Sequence, residues 1–213
     1  MSETLSVDVW SDVVCPFCYL GSQQLTQAIE RFEHDVTVTH HAFELDPNSP
    51  ASIAESLEEL VATKYQMPVE RANALHRRLE AQANEVGLSF NFAIARPANS
   101  LDAHRLIALA ATQGLSEAMS IRLFRAYFTE GLLISDRAVL SDLAREVGVR
   151  DALALWDGED FVKDVRADEE SAHALGINGV PAFVIDQRVM VSGAQGVEAI
   201  LGALRDAWES RAA

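Results

Sequence analysis

Cys15 and Cys18 stand three residues apart where one periodicity gives way to another, and that junction constrains the fold more than any other feature. Before it, Leu5, Val7 and Val9 alternate with Ser6, Asp8 and Trp10, the period-two pattern of a strand that buries one face. From Pro16 onward, apolar residues at Leu25, Ala28, Ile29 and Phe32 follow the helical period instead. A second alternation follows Glu33, with Val36, Val38 and His40 on one face and Thr37, Thr39 and His41 on the other. Strand, helix and strand within about 40 residues is the length of a βαβ unit, whose right-handed crossover makes the two strands parallel. The cysteine pair therefore lies between the first strand and the first helix of an α/β core.

The texture changes at Asp46-Pro47-Asn48-Ser49-Pro50, a loop signature, and helical patterns without strand patterns follow for about a hundred residues. This divides the chain into a first core part, 1–46, an α-helical insertion, 47–157, and a second core part, 158–213. Within the insertion Gly87, Gly114, Gly131 and Gly148 stand where left-handed helix stops are wanted, and Asn99, Ser116, Ser135 and Asp151 are candidate caps. The run Leu101 to Thr112 is apolar nearly all round and is expected to be sandwiched between neighbours. A helix near Phe161 to Leu175 is expected to cover the sheet. Ala182-Phe183-Val184-Ile185, Asp186-Gln187 and Arg188-Val189-Met190-Val191 then suit a hairpin, before a last helix from about Val197 to Trp208.

The net charge of -15 disfavours nucleic acid and anionic lipid as partners. The start, Met1 to Asp8, has neither a basic nor an apolar export region, and no apolar run reaches membrane-span length, so the chain reads as cytoplasmic with no membrane partner. In a reducing compartment a disulfide across so short a loop stabilises little, which leaves chemistry or metal to explain the cysteines. Pro16 suits the first helical position, which puts Cys15 at a helix N-terminus, where unpaired N–H groups favour its thiolate. Cys18 lies seven residues before Leu25 and is expected on the buried stripe. An exposed reactive thiol beside a covered one suits thiol–disulfide exchange: Cys15 forms the mixed disulfide and Cys18 resolves it. Half a zinc site and inert packing are the alternatives, but no second cysteine pair exists and the histidines lack finger spacing, so no metal is expected.

A second signal is Gly176-Ile177-Asn178-Gly179-Val180-Pro181, directly before the late strand, where proline can begin a strand but not sit inside one. Together the features resemble the thioredoxin superfamily, and the insertion resembles its DsbA branch. Within that branch the sequence is similar to the FrnE-like group through Ser11-Asp12-Val13-Val14-Cys15-Pro16-Phe17-Cys18-Tyr19-Leu20-Gly21, Asn99-Ser100-Leu101-Asp102-Ala103-His104-Arg105-Leu106, and Gly179-Val180-Pro181-Ala182-Phe183-Val184-Ile185 with Ser192-Gly193-Ala194-Gln195. The resemblance implies a thioredoxin-like fold interrupted by the helical insertion. It further implies a redox-active Cys15–Cys18 disulfide, no bound cofactor, and a cis Pro181 facing Cys15 with the Val180 backbone docking substrate.

The expected function is thiol–disulfide oxidoreductase or isomerase on protein or small-molecule thiols and disulfides. The same architecture resembles kappa-class glutathione transferases and hydroxychromene-carboxylate isomerases, which carry serine where Cys15 stands. They make glutathione a candidate co-substrate, although an enzyme that only activates bound glutathione has no need of Cys18. A third reading is a redox-inert chaperone or scaffold; Phe17 and Leu20 could contact substrate in either role. Asp8 or Asp12 could relay protons to Cys18, against the plainer reading of an acidic turn, and His104 could line the site or sit as a core histidine.

Overall fold

The computed structural model describes residues 4–211. Met1, Ser2 and Glu3, part of the start considered above for export, lie outside the described residues, as do Ala212 and Ala213. The sheet has the order β2-β1-β3-β4. Strand β1 (Leu5–Ser11) enters helix α1 (Pro16–Glu30) and returns through β2 (Val36–Ala42), which pairs parallel to β1 from Leu5↔Val36 to Ser11↔Ala42. Strand β3 (Ala182–Ile185) lies antiparallel to β1, and β4 (Val189–Ser192) forms a hairpin with it. Asp186 and Gln187 both adopt positive φ in the connecting turn, the handedness that matches twisted strands.

The remaining helices are α2 (Leu57–Lys64), α3 (Val69–Glu85), α4 (Leu101–Ala111), α5 (Ser116–Phe128), α6 (Arg137–Val147), α7 (Val162–Ala174) and α8 (Val197–Glu209). Helices α1 and α8 cover one sheet face around Leu5, Val7, Val9, Leu25, Phe183, Ile200 and Leu204. On the other face Trp10, Phe43, Ala182 and Val184 pack with Ala172 of α7 and the adjacent Ile177. The expectation that β1 buries one face is corrected here: Trp10, on the other face, is only 4% exposed. A central strand covered by helices on both sides has no face left for water, and only Ser6 and Asp8 keep substantial contact with it.

Helices α2 to α6 fill the sequence between β2 and α7, and their core is a single cluster that includes Phe92, Leu106, Met119, Leu123, Phe124, Tyr127, Phe128 and Leu140. Helix α4 is sandwiched as its composition implies, against α5, α6 and α7. The four expected glycine stops all have positive φ; at Gly148 the left-handed residue closes α6 by donating its N–H to Ala144 O and Arg145 O. The caps fall one residue from expectation. Asp136, not Ser135, caps α6 by accepting from Ala138 N, while the Ser135 hydroxyl donates to Ala51 O. Ser116 already lies inside α5, and Asp151 leads into a 3₁₀ turn at Ala154–Asp157. Asn99 precedes the cap position, Ser100, yet its side chain still accepts from Leu101 N. Among the described residues no helix is long and apolar enough to cross a membrane.

Candidate active site

The chain leaves β1 at Ser11 and turns through Asp12, Val13 and Val14 before Pro16 opens α1 with the missing N–H that a first helical position tolerates. Cys15 is the N-cap of α1 in extended conformation, and both thiols are free. Across the gap the chain between α7 and β3 brings Val180 and Pro181 up to the same spot, with the Val180–Pro181 peptide bond cis. The Cys15 thiol donates to the Val180 carbonyl at 3.6 Å. This contact corrects one expectation: Cys15 is 4% exposed, not open to solvent, because the Val180 segment and neighbouring apolar residues cover it. The two thiols therefore differ in surroundings rather than in exposure.

Cys18, at 1% exposure, is buried as expected, but not along the stripe that faces the sheet. Its neighbours are those of the insertion core, together with Val13, Cys15 and Tyr19, whereas Leu25 and Ala28 of the same helix belong to the sheet core. Tyr19 anchors that first turn by stacking on Phe124 at 5.0 Å and on Phe90 at 5.5 Å. Burial pushes the Cys18 thiol well above its ordinary range, and the adjacent Cys15 thiol adds to the rise; the Asp12 amide, donating to Cys18 Sγ at 3.5 Å, works against it.

Asp12 is fully buried and its carboxylate is saturated with donors. Oδ1 accepts from Val14 N at 3.3 Å and from His104 Nε2 at 3.3 Å, and Oδ2 accepts from Leu45 N at 2.7 Å. Such donors are what allow a carboxylate to leave water without a prohibitive cost. The structure thus brings Asp12 and His104 together with Cys18. It does not bring Asp8, which instead accepts from His41 Nε2 at 3.0 Å, while His41 Nδ1 meets Asp168 at 2.7 Å. Phe17 is 45% exposed on the outer side of α1 beside the cysteines, available for contact with another molecule. Leu20 is buried and therefore unavailable for that role. Among the described residues no group of His, Cys, Asp and Glu is arranged to hold a metal ion.

Two elements of the site were not recognised from the sequence. Gly21 lets α1 approach the proline loop, since a Cβ there would lie 2.9 Å from Pro181 Cγ. A glycine in mid-helix, where alanine is preferred, was the available signal. Glu44 is buried at the end of β2, bonded to Arg166 of α7, and burial raises its carboxyl even against that arginine. Nothing in the local pattern marks it out, because Arg166 comes from the far end of the sequence.

The chain can now be compared with known proteins. The DSBA-like thioredoxin domain matches residues 6–205. The uncharacterized protein YwbO of Bacillus subtilis is 28% identical over 209 residues, which is 95% of this chain and 97% of that one. The crystal structure of a probable DsbA oxidoreductase, SCO1869 from Streptomyces coelicolor, is 35% identical with a TM-score of 0.93, and the match covers 97% of this chain and 91% of that one. Two more distant structures share the fold. The cytosolic disulfide reductase DsbM from Pseudomonas aeruginosa, solved with glutathione, is 22% identical with a TM-score of 0.64, over 97% of this chain and 98% of its own. A 2-hydroxychromene-2-carboxylate isomerase is 17% identical with a TM-score of 0.69, over the same shares. The paired thiols, the facing Val180–Pro181 loop, the helical insertion between β2 and α7 and the match over residues 6–205 lead to one conclusion: this chain belongs to the family of DSBA-like thioredoxin domains.

Proposed function

We propose that this protein is a thiol–disulfide oxidoreductase working by dithiol exchange through Cys15 and Cys18. The observation that carries the reading is the inequality of two free thiols in one helical turn. Cys15 caps α1 beneath the Val180 carbonyl, and Cys18 is held inside by the insertion core and the Asp12 amide. Cys15 Sγ, as thiolate, attacks a substrate disulfide; one substrate sulfur leaves with the electron pair, and a mixed disulfide remains on Cys15. Cys18 then attacks Cys15 Sγ and releases the second substrate sulfur, so the substrate is reduced and the protein pair is oxidised. Run backwards, the same steps oxidise a dithiol. An extended substrate would lie along the backbone at Val180 as an added strand, with Phe17 as an apolar flank. In this reading residues 1–46 and 158–213 form the thioredoxin-like part and 47–157 the insertion, and no bound cofactor is required.

The test is Cys18→Ser. It should accumulate mixed disulfides through Cys15 and lose turnover of protein disulfides such as those of insulin, and Cys15→Ser should react with nothing. A glutathione-dependent transferase or isomerase is the second reading, favoured by the fold shared with the isomerase and with the glutathione-bound DsbM structure. In that chemistry the essential thiol arrives with glutathione, so full activity of Cys18→Ser, lost when glutathione is left out, would decide for it. A scaffold would keep its binding with both cysteines replaced. The name of DsbM, a cytosolic disulfide reductase, supports a cytoplasmic place of action and a reducing direction for this chain as well.

A further inference from the structure

When Cys18 attacks, its proton must leave, and the burial that shields the sulfur removes the solvent that would ordinarily take it. The structure puts a chain of polar groups behind that sulfur. Asp12, whose amide touches Cys18 Sγ, shares its carboxylate Oδ1 with His104 Nε2 at 3.3 Å, and both residues are almost wholly buried. His104 comes from α4, so the inserted helices supply the second member of the pair. Beyond His104, between β2, α4 and α7, lies a cavity of about 30 Å³ lined in part by Ser11, His40, His41, His104, Ser120 and Asp168. That volume and lining are sufficient for one water with several polar partners. His40 Nε2 is buried there without a protein partner, and His41, bonded to Asp168 and Asp8, keeps 21% of its side chain exposed.

We propose that the Asp12–His104 pair takes up the proton that Cys18 gives up on attack, and that water in the histidine-lined cavity passes it on toward His41 and solvent. The proposal rests on the dithiol-exchange reading. In the resolving step the Cys18 S–H bond breaks, a Cys15–Cys18 bond forms, and the Cys15–substrate bond breaks with the electron pair leaving on the substrate sulfur. The pair gains one proton in that step and loses it to the cavity afterwards; the departing thiolate is protonated from solvent. Asp12 is the group next to the reacting sulfur, and His104 is a positioning residue that acts through it.

The charged and titratable groups facing His104 are Asp12 from the β1–α1 turn, Glu44 with Arg166 bound to it, His40 and His41 from β2, and Asp168 from α7; Tyr127 of α5 faces Asp12. Burial holds the His40 imidazole down to about 4, so at neutral pH it is uncharged and able both to accept and to donate. Glu44 Oε1, buried without a protein partner, is a further acceptor close to His104.

The deciding experiment follows release of 5-thio-2-nitrobenzoate from a preformed mixed disulfide on Cys15 of the full chain, by rapid mixing between about pH 5 and 9. The unmodified protein should release it at a rate that changes little around neutrality. His104→Gln should make the rate rise in proportion to hydroxide and be slower by roughly 10²-fold at the acid end, the scale of one lost general base. Ser120→Val, which puts methyl groups on the cavity wall and leaves the Asp12–His104 bond intact, should move the profile in the same direction. If both variants keep the original profile, the relay is refuted, even with Cys18→Ser still stalled at the mixed disulfide. Should His104→Gln fail to fold, an unchanged profile in Ser120→Val overturns the proposal by itself. Release at the normal rate from Cys18→Ser would instead defeat the dithiol reading on which the relay depends.

Discussion

Replacing Gly21 by alanine sets two opposed effects against each other at one position. Gly21 lies inside α1, where alanine is preferred by about 1 kcal/mol. The new Cβ, however, would stand 2.9 Å from Pro181 Cγ and 3.1 Å from Phe183 Cζ. Phe183 is fully buried in the sheet core and has no free volume to turn into, so the displacement falls on the proline loop. Overpacking of this kind costs about 1–3 kcal/mol, which leaves a net loss of about 1 kcal/mol after the helical gain. Urea unfolding should show it as a lower midpoint with an unchanged slope. The functional loss should exceed the loss of stability, because the atom that is pushed belongs to the loop whose Val180 carbonyl meets the Cys15 thiol. Turnover of a protein disulfide should fall severalfold while alkylation of Cys15 is retained. A Gly21→Ala protein about 1 kcal/mol more stable than its parent, with undiminished turnover, would show that helix propensity alone governs the site and that the close approach carries no weight.

Arg105 is buried on α4 and donates to the carbonyls of Leu155, Gly158 and Asp160, with Asp102 as its ion-pair partner; Arg105→Met should therefore cost about 3–5 kcal/mol in denaturant midpoints, and lysine should not restore it. Burial alone would lower the His41 pKa, but hydrogen bonds to Asp168 and Asp8 outweigh it and the folded value is raised. Its stabilising contribution is then complete below about pH 6.5 and lost as pH rises through the raised value, so the stability gap between the parent and His41→Gln should narrow on the alkaline side. Neighbouring His40 has the opposite sign: with its folded value lowered to about 4, its penalty grows as pH falls below about 6.5, and His40→Gln should remove that part of the acid loss. Phe17→Ser should weaken capture of a protein disulfide, read as a higher KM with kcat little changed, because the ring is exposed and supports no core. A drop in unfolding midpoint without any change in KM would contradict that assignment.

The periodic elements were legible because each is written in a few consecutive residues. The alternation of Leu5, Val7 and Val9, the helical spacing after Pro16 and the Asp186-Gln187 turn all carry their geometry locally. The two thiols and the division of labour between them could be read from the strand-to-helix junction for the same reason. What covers Cys15 could not: its lid is the carbonyl of Val180, 165 residues further along, and no pattern near Cys15 records it. Trp10 looked solvent-facing because alternation reports which residues share a face but not whether a helix lies over the second face. Asp12 was legible as an acid near the cysteines, whereas its partners at Leu45 and His104 come from two distant elements, and Asp8, equally near in sequence, is drawn away toward His41. The helix caps were displaced by one residue, a local shift that competing Ser, Asn and Asp neighbours leave open.

The division of α1 between two cores bears on how such a protein can be cut down or rebuilt. Its first turn, with Cys18 and Tyr19, rests on the aromatic rings of the inserted helices, while its later turns rest on the sheet. Trimming the chain to a minimal sheet domain would keep both cysteines in the sequence and remove the walls that make them unequal. Tyr19 would be left on the surface, Cys18 would meet water, and Asp12 would lose His104. Grafting the cysteine motif onto another scaffold meets the same obstacle, since the motif supplies the sulfur atoms and the bundle supplies their difference. Exchanging whole insertions between relatives, with the first turn of α1 carried along, is the cut that respects the seam.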